Sequence, residues 1–260
     1  MKPQDFLSKK EAAPVPRGGE RRYLPLLTLS FLLITAIGAV LQLLFPEVFL
    51  ALRRDPAALE AGEGWRILSP LLVLDGEVFW HFVYDALGLF LVGALVERLL
   101  GRGRWLILFF AAALAGNIAG YAWNPYGAGA STALCGLIGG LVIWQIKRSD
   151  FYLLASLYAL GLASVLALEA IIAVFIANAL FGIVVAALAC GLLINLLLRL
   201  LRRKPDTSAS AYFVFAVVLL SALALVVLRD LHGVALLTGL GVAALLRWRK
   251  PIFRRLPFAR

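Results

Sequence analysis

Cysteine, histidine and charge are all scarce in this chain, which has two cysteines, two histidines and 15% charged residues among 260 positions. Cys135 and Cys190 both lie inside apolar runs, with no CxxC spacing and no neighbouring metal ligand, so they read as small packing residues. No metal site and no cofactor is implied. No apolar run alternates with period two, which argues against a β-barrel. No internal repeat is visible, and no stretch has the composition of a soluble domain. The first apolar run is longer than the hydrophobic core of a signal peptide and lacks an A-x-A-like end, so the first helix is expected to stay as an anchor.

What the chain does have is hydrophobicity: 62% of its residues are apolar and its mean hydropathy is +0.92. Its apolar segments are longer than a soluble core of this size uses. Within lipid only helices or closed barrels satisfy every backbone hydrogen bond, so the expected fold is an all-α, polytopic membrane protein. The net charge of +10 is unevenly placed. If eight helices alternate across the bilayer, every Lys and Arg except Arg53, Arg54, Arg66 and Arg229 falls on one side. The positive-inside rule makes that side cytoplasmic, with both termini there, and explains the charge through lipid headgroups rather than nucleic acid.

Residues 1–22 form an expected flexible basic tail, 23–248 a transmembrane domain and 249–260 a second basic tail. Spans are expected at about Tyr23 to Phe45, Val78 to Val96, Trp105 to Trp123 and Ser131 to Arg148. Phe151 to Leu198 is too long for one span and is divided in two, turning near Glu169 or near Asn178. Ala211 to Leu228 and Leu231 to Leu246 complete the eight. The mixed segment 46–77 reads as an external loop lying partly on the bilayer, with Trp65 as an interfacial anchor.

A polar group at membrane depth costs several kcal/mol without partners, roughly 2–7 for a neutral one, so each needs a reason. The group comprises Ser131, His81, Asp85, His232, Asn117, Asn178 and Glu169. Glu169 reads as a turn residue, and Asn117 and Asn178 as interhelical hydrogen-bonders. The spans carrying His81, Ser131 and His232 all start at the external face, so both histidines of the chain share the serine's depth. A serine hydroxyl is a poor nucleophile until a base such as imidazole takes its proton, and acyl transfer needs donors aimed at the developing oxyanion. Ser131 then reads as nucleophile, His232 as base, and His81 with the Ser131 backbone N–H as oxyanion donors. Asp230 and Asp85 are the carboxylates nearest in sequence to the two histidines, and a Ser–His dyad is expected.

At these residues the chain resembles the rhomboid family of intramembrane serine proteases. Gly129-Ala130-Ser131-x-Ala133-x-x-Gly136 is similar to that family's G-A-S-G-A-x-x-G motif, and His232 to Gly239 to its H-x-x-G-x-x-x-G helix, with Ala235 for the first Gly. Glu63-Gly64-Trp65-Arg66 is similar to E-x-W-R, and His81, Asp85, Gly93, Glu97 and Gly101 keep the spacing H-x3-N-x7-G-x3-E-x3-G. The resemblance implies a six-helix core, here with about two added helices. It also implies Ser131 and His232 as the catalytic pair, His81, Asp85 and Gly129 as oxyanion or supporting residues, and transmembrane proteins of a cell membrane as substrates.

The departures are specific. Thr132 stands where Gly is usual, crowding the backbone beside the oxyanion site. Asp85 replaces an Asn amide, and an ionised Asp can only accept. Cys135 takes a position that is usually aromatic. The Ser-to-His interval is about two helices long in excess, which admits a rival alignment with Asn178 or Ala179 at the base position and a non-catalytic protein that binds transmembrane helices.

Overall fold

The computed structural model describes residues 24–76, 78–148, 151–175 and 207–246, and every regular element among them is helical. The two tails, the span expected within 176–198, Asn178 and Cys190 lie outside the described residues. Helix α1 (Leu26–Leu44) is followed by the short helices α2 (Pro46–Leu52) and α3 (Pro56–Glu60), each with proline in its first turn. Two 3-10 turns follow, Gly64–Ile67 and Ser69–Leu72. Then come α4 (Val78–Gly88), a π-turn (Leu89–Gly93) and α5 (Ala94–Leu100), which together form one rod, and α6 (Arg102–Trp123). Helices α7 (Ser131–Arg148), α8 (Leu153–Phe175), α9 (Thr207–Val227) and α10 (Leu231–Leu245) complete the described chain.

Leu26–Leu44, Val78–Leu100, Arg102–Trp123 and Thr207–Val227 are each long and apolar enough to cross a membrane, with shorter apolar helices at Leu153–Leu168 and Leu231–Leu245. The fold is an all-helical, polytopic one. Large apolar side chains such as Leu33, Phe79, Phe90, Ile118, Leu220 and Val227 point outward. The interior packs large apolar side chains such as Trp105, Trp144 and Phe109 together with small and polar groups at the closest helix contacts.

Helix α7 is the centre of the bundle: every residue from Ser131 to Gln145 is buried. Its small residues make this possible. A Cβ on Gly139 would lie 2.5 Å from the carbonyl carbon of Gly239, and one on Gly239 2.8 Å from the Cα of Gly136. Helices α7 and α10 therefore meet backbone to backbone. On the other side, Gly136 approaches the Leu108 carbonyl of α6 too closely for any side chain. His232, Ala235, Gly239 and Ala243 share one face of α10 at helical spacing, and Ala235, Gly239 and Ala243 are buried.

Two expectations are corrected here. Helix α8 runs unbroken from Leu153 to Phe175, so no turn occurs near Glu169, because one glutamate, itself a good helix former, does not stop an apolar helix. In the first external segment Leu71, Val73 and Leu74 are buried inside the protein and not open to a bilayer, whereas Leu50, Trp65 and Leu68 stay exposed. Gln42 of α1 pins this stretch by exchanging two hydrogen bonds with the Leu74 backbone, at 2.6 and 2.9 Å. Gly38 leaves room for the Leu72 carbonyl against α1.

At the opposite end of the bundle Glu97 is completely buried. Its carboxylate accepts the Leu27 N–H at 3.1 Å, the Thr28 N–H at 2.9 Å and the Thr28 hydroxyl at 3.0 Å, an anion at the positive end of α1. The π-turn presents the Gly93 carbonyl, which accepts the Trp105 indole N–H at 3.1 Å. These bonds fix the rod that carries His81 and Asp85 at its other end.

Candidate active site

Ser131 is the first residue of α7, 8% exposed, at the end where a helix leaves its first N–H groups without intrahelical partners. Its approach is set by Gly129, whose φ of +133° is a conformation that glycine adopts without a Cβ penalty. The first external loop holds this turn from behind. The Gly129 N–H donates to the Pro70 carbonyl at 2.8 Å, and the Arg54 N–H to the Gly127 carbonyl at 3.1 Å.

Arg54 is a residue the sequence reading missed. Its side chain is 3% exposed and donates to Asn117 Oδ1 at 2.8 Å and the Asn124 carbonyl at 3.2 Å. Asn117 in turn donates to the Ile67 carbonyl at 3.0 Å, so it joins α6 to the external loop and not, as expected, to another long helix. Arg66 is bound within the loop by Glu63 at 2.6 Å and by the Leu50 and Arg53 carbonyls, and its own carbonyl accepts the Tyr121 hydroxyl. Nothing local in the sequence marks Arg54 as buried, because the groups that receive it come from residues 117 and 124.

Ser131 Oγ lies 2.9 Å from His232 Nε2, across 101 residues of sequence. On its other side the ring is held by Asp230, whose Oδ1 is 2.7 Å from His232 Nδ1. An ionised carboxylate accepts only, so Nδ1 carries the proton and Nε2 presents a lone pair to the serine O–H. The same Asp230 Oδ1 accepts the His232 backbone N–H at 2.8 Å as the N-cap of α10. Burial works to raise the Asp230 carboxyl's pKa. The hydrogen bond from the His232 ring, the imidazole charge, the His232 backbone N–H and Arg54 outweigh it and hold the pKa below the usual carboxylate range. The expected dyad therefore has a third group in contact with it. The signal was readable: an aspartate at a helix start folds back toward the second helical residue, which here is the histidine.

The residues expected to support the oxyanion also gather here. His81 Nδ1 is 2.8 Å from the Asp75 carbonyl, and its Nε2 is 3.6 Å from Asp85 Oδ2. A carbon placed at the Cβ position of Gly129 would lie 3.0 Å from His81 Nε2 and 3.5 Å from Ser131 Oγ. That space is within reach of both the nucleophile and the His81 ring, where a reacting carbonyl needs to be. Asp85 is 2% exposed, and neither carboxyl oxygen has a hydrogen-bond partner among the described residues.

Thr132 does not crowd this space. Its methyl packs on Gly116 of α6, where a Cβ would come within 3.0 Å of it, and it is not among the atoms nearest the Gly129 Cβ position. Cys135 is fully buried one turn further along α7. Among the described residues no group of histidine, cysteine and acidic side chains is arranged to hold a metal ion.

Comparison with known proteins identifies the family. The Rhomboid domain family model matches residues 61–205, a span that contains His81, Asp85, Gly129 and Ser131 and ends ahead of His232. Rhomboid protease GluP of Bacillus subtilis (strain 168) is 35% identical over 101 residues, 38% of this chain and 20% of that protein. Putative rhomboid protease YdcA of the same organism is 32% identical over 127 residues, 45% of this chain and 63% of its own length. The chain thus spans less than two thirds of each of these relatives. No solved structure gives a significant match.

Proposed function

The chain belongs to the rhomboid family, and from that premise we propose that it is an intramembrane serine endopeptidase that cuts a peptide bond in or beside a transmembrane segment of its substrate. The observation that carries this reading is the 2.9 Å contact between Ser131 Oγ and His232 Nε2. The family match ends before His232, so the base rests on geometry and not on alignment.

In the proposed reaction Ser131 Oγ attacks the scissile carbonyl carbon while its proton passes to His232 Nε2. The carbonyl oxygen becomes an oxyanion in the space beside Gly129, facing His81 and the N–H groups that open α7. His232 then gives the proton to the leaving amine as the C–N bond breaks, and a water activated by the same imidazole hydrolyses the acyl-enzyme. General base catalysis of this kind supplies about 10²- to 10⁴-fold, and each oxyanion donor about 10²- to 10³-fold. Asp230 acts through His232, holding the tautomer that leaves Nε2 free to accept.

The substrates are other transmembrane proteins, reached laterally through the bilayer of a cell membrane, with both termini of this chain in the cytoplasm. The charge distribution supports that orientation. No nucleic acid and no cofactor takes part.

One observation favours a second reading, a non-catalytic relative that binds transmembrane helices. Asp85 stands where an amide donor belongs, and its carboxyl is buried without a hydrogen-bond partner among the described residues. Cleavage of a model transmembrane substrate by the purified protein in detergent or liposomes separates the two. Hydrolysis abolished by Ser131→Ala and by His232→Ala supports the protease. Activity that survives either change refutes the assignment, and binding without cleavage favours the second reading.

A further inference from the structure

His81 and Asp85 sit four residues apart on α4, so both side chains lie on one helix face. His81 Nδ1 contacts the Asp75 carbonyl at 2.8 Å. A carbonyl oxygen accepts and never donates, so that contact places a proton on Nδ1. In a neutral ring the other nitrogen, Nε2, then carries only a lone pair. Yet Nε2 is the atom that faces the space beside Gly129, 3.0 Å from a carbon placed there. A neutral His81 therefore aims an acceptor at the position where the oxyanion forms, which opposes the reaction.

Asp85 bears on the same atom. Its Oδ2 is 3.6 Å from Nε2, and the carboxyl is 2% exposed with both oxygens unpartnered among the described residues. With His81 neutral and Asp85 ionised, a buried carboxylate with only the Ala130 backbone N–H beside it faces the site and repels the oxyanion. One additional proton removes both conflicts. On Nε2 it makes the imidazolium of an ion pair, and on Asp85 it makes a carboxylic acid. The first location puts an N–H into the space beside Gly129, with Asp85 as its counter-ion, and the second removes the buried charge.

We propose that His81 and Asp85 together hold one dissociable proton, that this proton is the hydrogen bond offered to the oxyanion, and that hydrolysis weakens as rising pH removes it. The inference rests on the protease reading above. The proton stays on the pair throughout acyl transfer, and the proton that moves is the one carried by His232. Asp85 is thus a positioning residue acting through His81. The other titratable groups facing the pair are His232 and Asp230 from α10, Cys135 from α7, Tyr158 from α8, Tyr84 of α4 itself and Asp75 in the preceding loop. Asp230 is engaged by His232, and thiols and phenols ordinarily titrate only above about pH 8, which leaves the pair as the source of an alkaline loss.

The test is the pH profile of kcat/KM for a transmembrane substrate, measured for wild type and Asp85→Asn in the same detergent. An asparagine amide brings its own N–H and needs no titratable proton. The wild type is expected to fall on the alkaline side by on the order of 100-fold, the loss of one oxyanion donor. Asp85→Asn is expected to lose that fall. An alkaline fall that persists unchanged in Asp85→Asn, or is missing from the wild type, overturns the inference.

The wild-type protein carries a second test that needs no variant to fold. It has only two histidines, so a ¹⁵N spectrum of labelled imidazole shows two rings. His81 is expected to keep its Nδ1 proton throughout, with its Nε2 signal moving over the range in which activity is lost. A static Nε2 signal across that range sinks the idea. Ser131→Ala separates this failure from failure of the protease reading, since Ser131-dependent cleavage with an unaltered Asp85→Asn profile defeats only the proton-sharing pair.

Discussion

A single oxygen of Asp230 accepts two hydrogen bonds from His232, one from its backbone N–H at 2.8 Å and one from its ring Nδ1–H at 2.7 Å. The cap that starts α10 and the contact that orients the base are thus the same atom. Helix formation and base orientation are coupled at the cost of one residue.

Substituting that residue separates the two roles. Asp230→Asn retains a capping oxygen but can present an amide N–H to Nδ1, which favours the tautomer with Nε2 protonated and unable to accept from Ser131. We expect kcat/KM to fall by roughly 10²-fold with little change in thermal stability. Asp230→Ala should lose activity as well as about 1 kcal/mol of helix capping. Activity assays paired with thermal unfolding in detergent check both, and an Asp230→Asn enzyme at full activity would remove Asp230 from the mechanism.

The lowered pKa of Asp230 also has a sign in stability. A carboxyl whose folded pKa lies below its unfolded one stabilises fully above the unfolded value, about 3.9 for aspartate, and loses that contribution as pH falls through the folded value. The melting-temperature difference between wild type and Asp230→Ala should therefore stand at its full size above about pH 5 and close below about pH 4. A difference that widens on acidification would contradict the assignment.

The backbone contact between α7 and α10 makes a steric prediction. Gly139→Ala places a methyl 2.5 Å from the Gly239 carbonyl carbon, with no flexible side chain to yield. It should cost about 1–3 kcal/mol and push the two helices apart, with activity falling further than stability because Ser131 and His232 sit on opposite sides of the seam. Gly161→Ala in α8 is the control: among the described residues no atom beyond its own helix backbone lies within 4 Å of its Cβ position. That change should be neutral or stabilising by a few tenths of a kcal/mol to about 1. Equal effects at the two sites would show that the close approach is not needed.

Arg54 tests whether the external loop holds the nucleophile turn. Its Nε and Nη1 reach two acceptors, the Asn124 carbonyl and Asn117 Oδ1, which a single ammonium does not span together. Both Arg54→Lys and Arg54→Ala should raise protease nicking between residues 124 and 130 and lower kcat/KM. The alanine change should cost about 1.5–3 kcal/mol from lost charge-assisted hydrogen bonds. Unchanged protection of that segment would place its order elsewhere.

Much of this was legible in one dimension. Helix α7 begins at Ser131 and ends at Arg148 as expected, because small residues open it and Lys147-Arg148 close it. The shared depth of His81, Ser131 and His232 followed from counting spans, since alternation across a bilayer is a parity argument needing no contact information. The missed turn near Glu169 came from treating one acidic residue as a boundary, and the buried Leu71–Leu74 stretch from treating loop hydrophobicity as a lipid contact.

Sequence alone, then, determined the helical membrane class and the small set of polar residues that needed partners, because apolar length acts locally and the bilayer imposes the rest. Only the tertiary structure decided which of those residues touch. The Ser131–His232 contact depends on glycines at 136, 139 and 239 letting two backbones meet. The proton on His81 depends on a carbonyl six residues upstream. Arg54 is buried because two acceptors 63 and 70 residues away close over it. Those are matters of distance and direction between separate helices, and no local pattern of residue types encodes them.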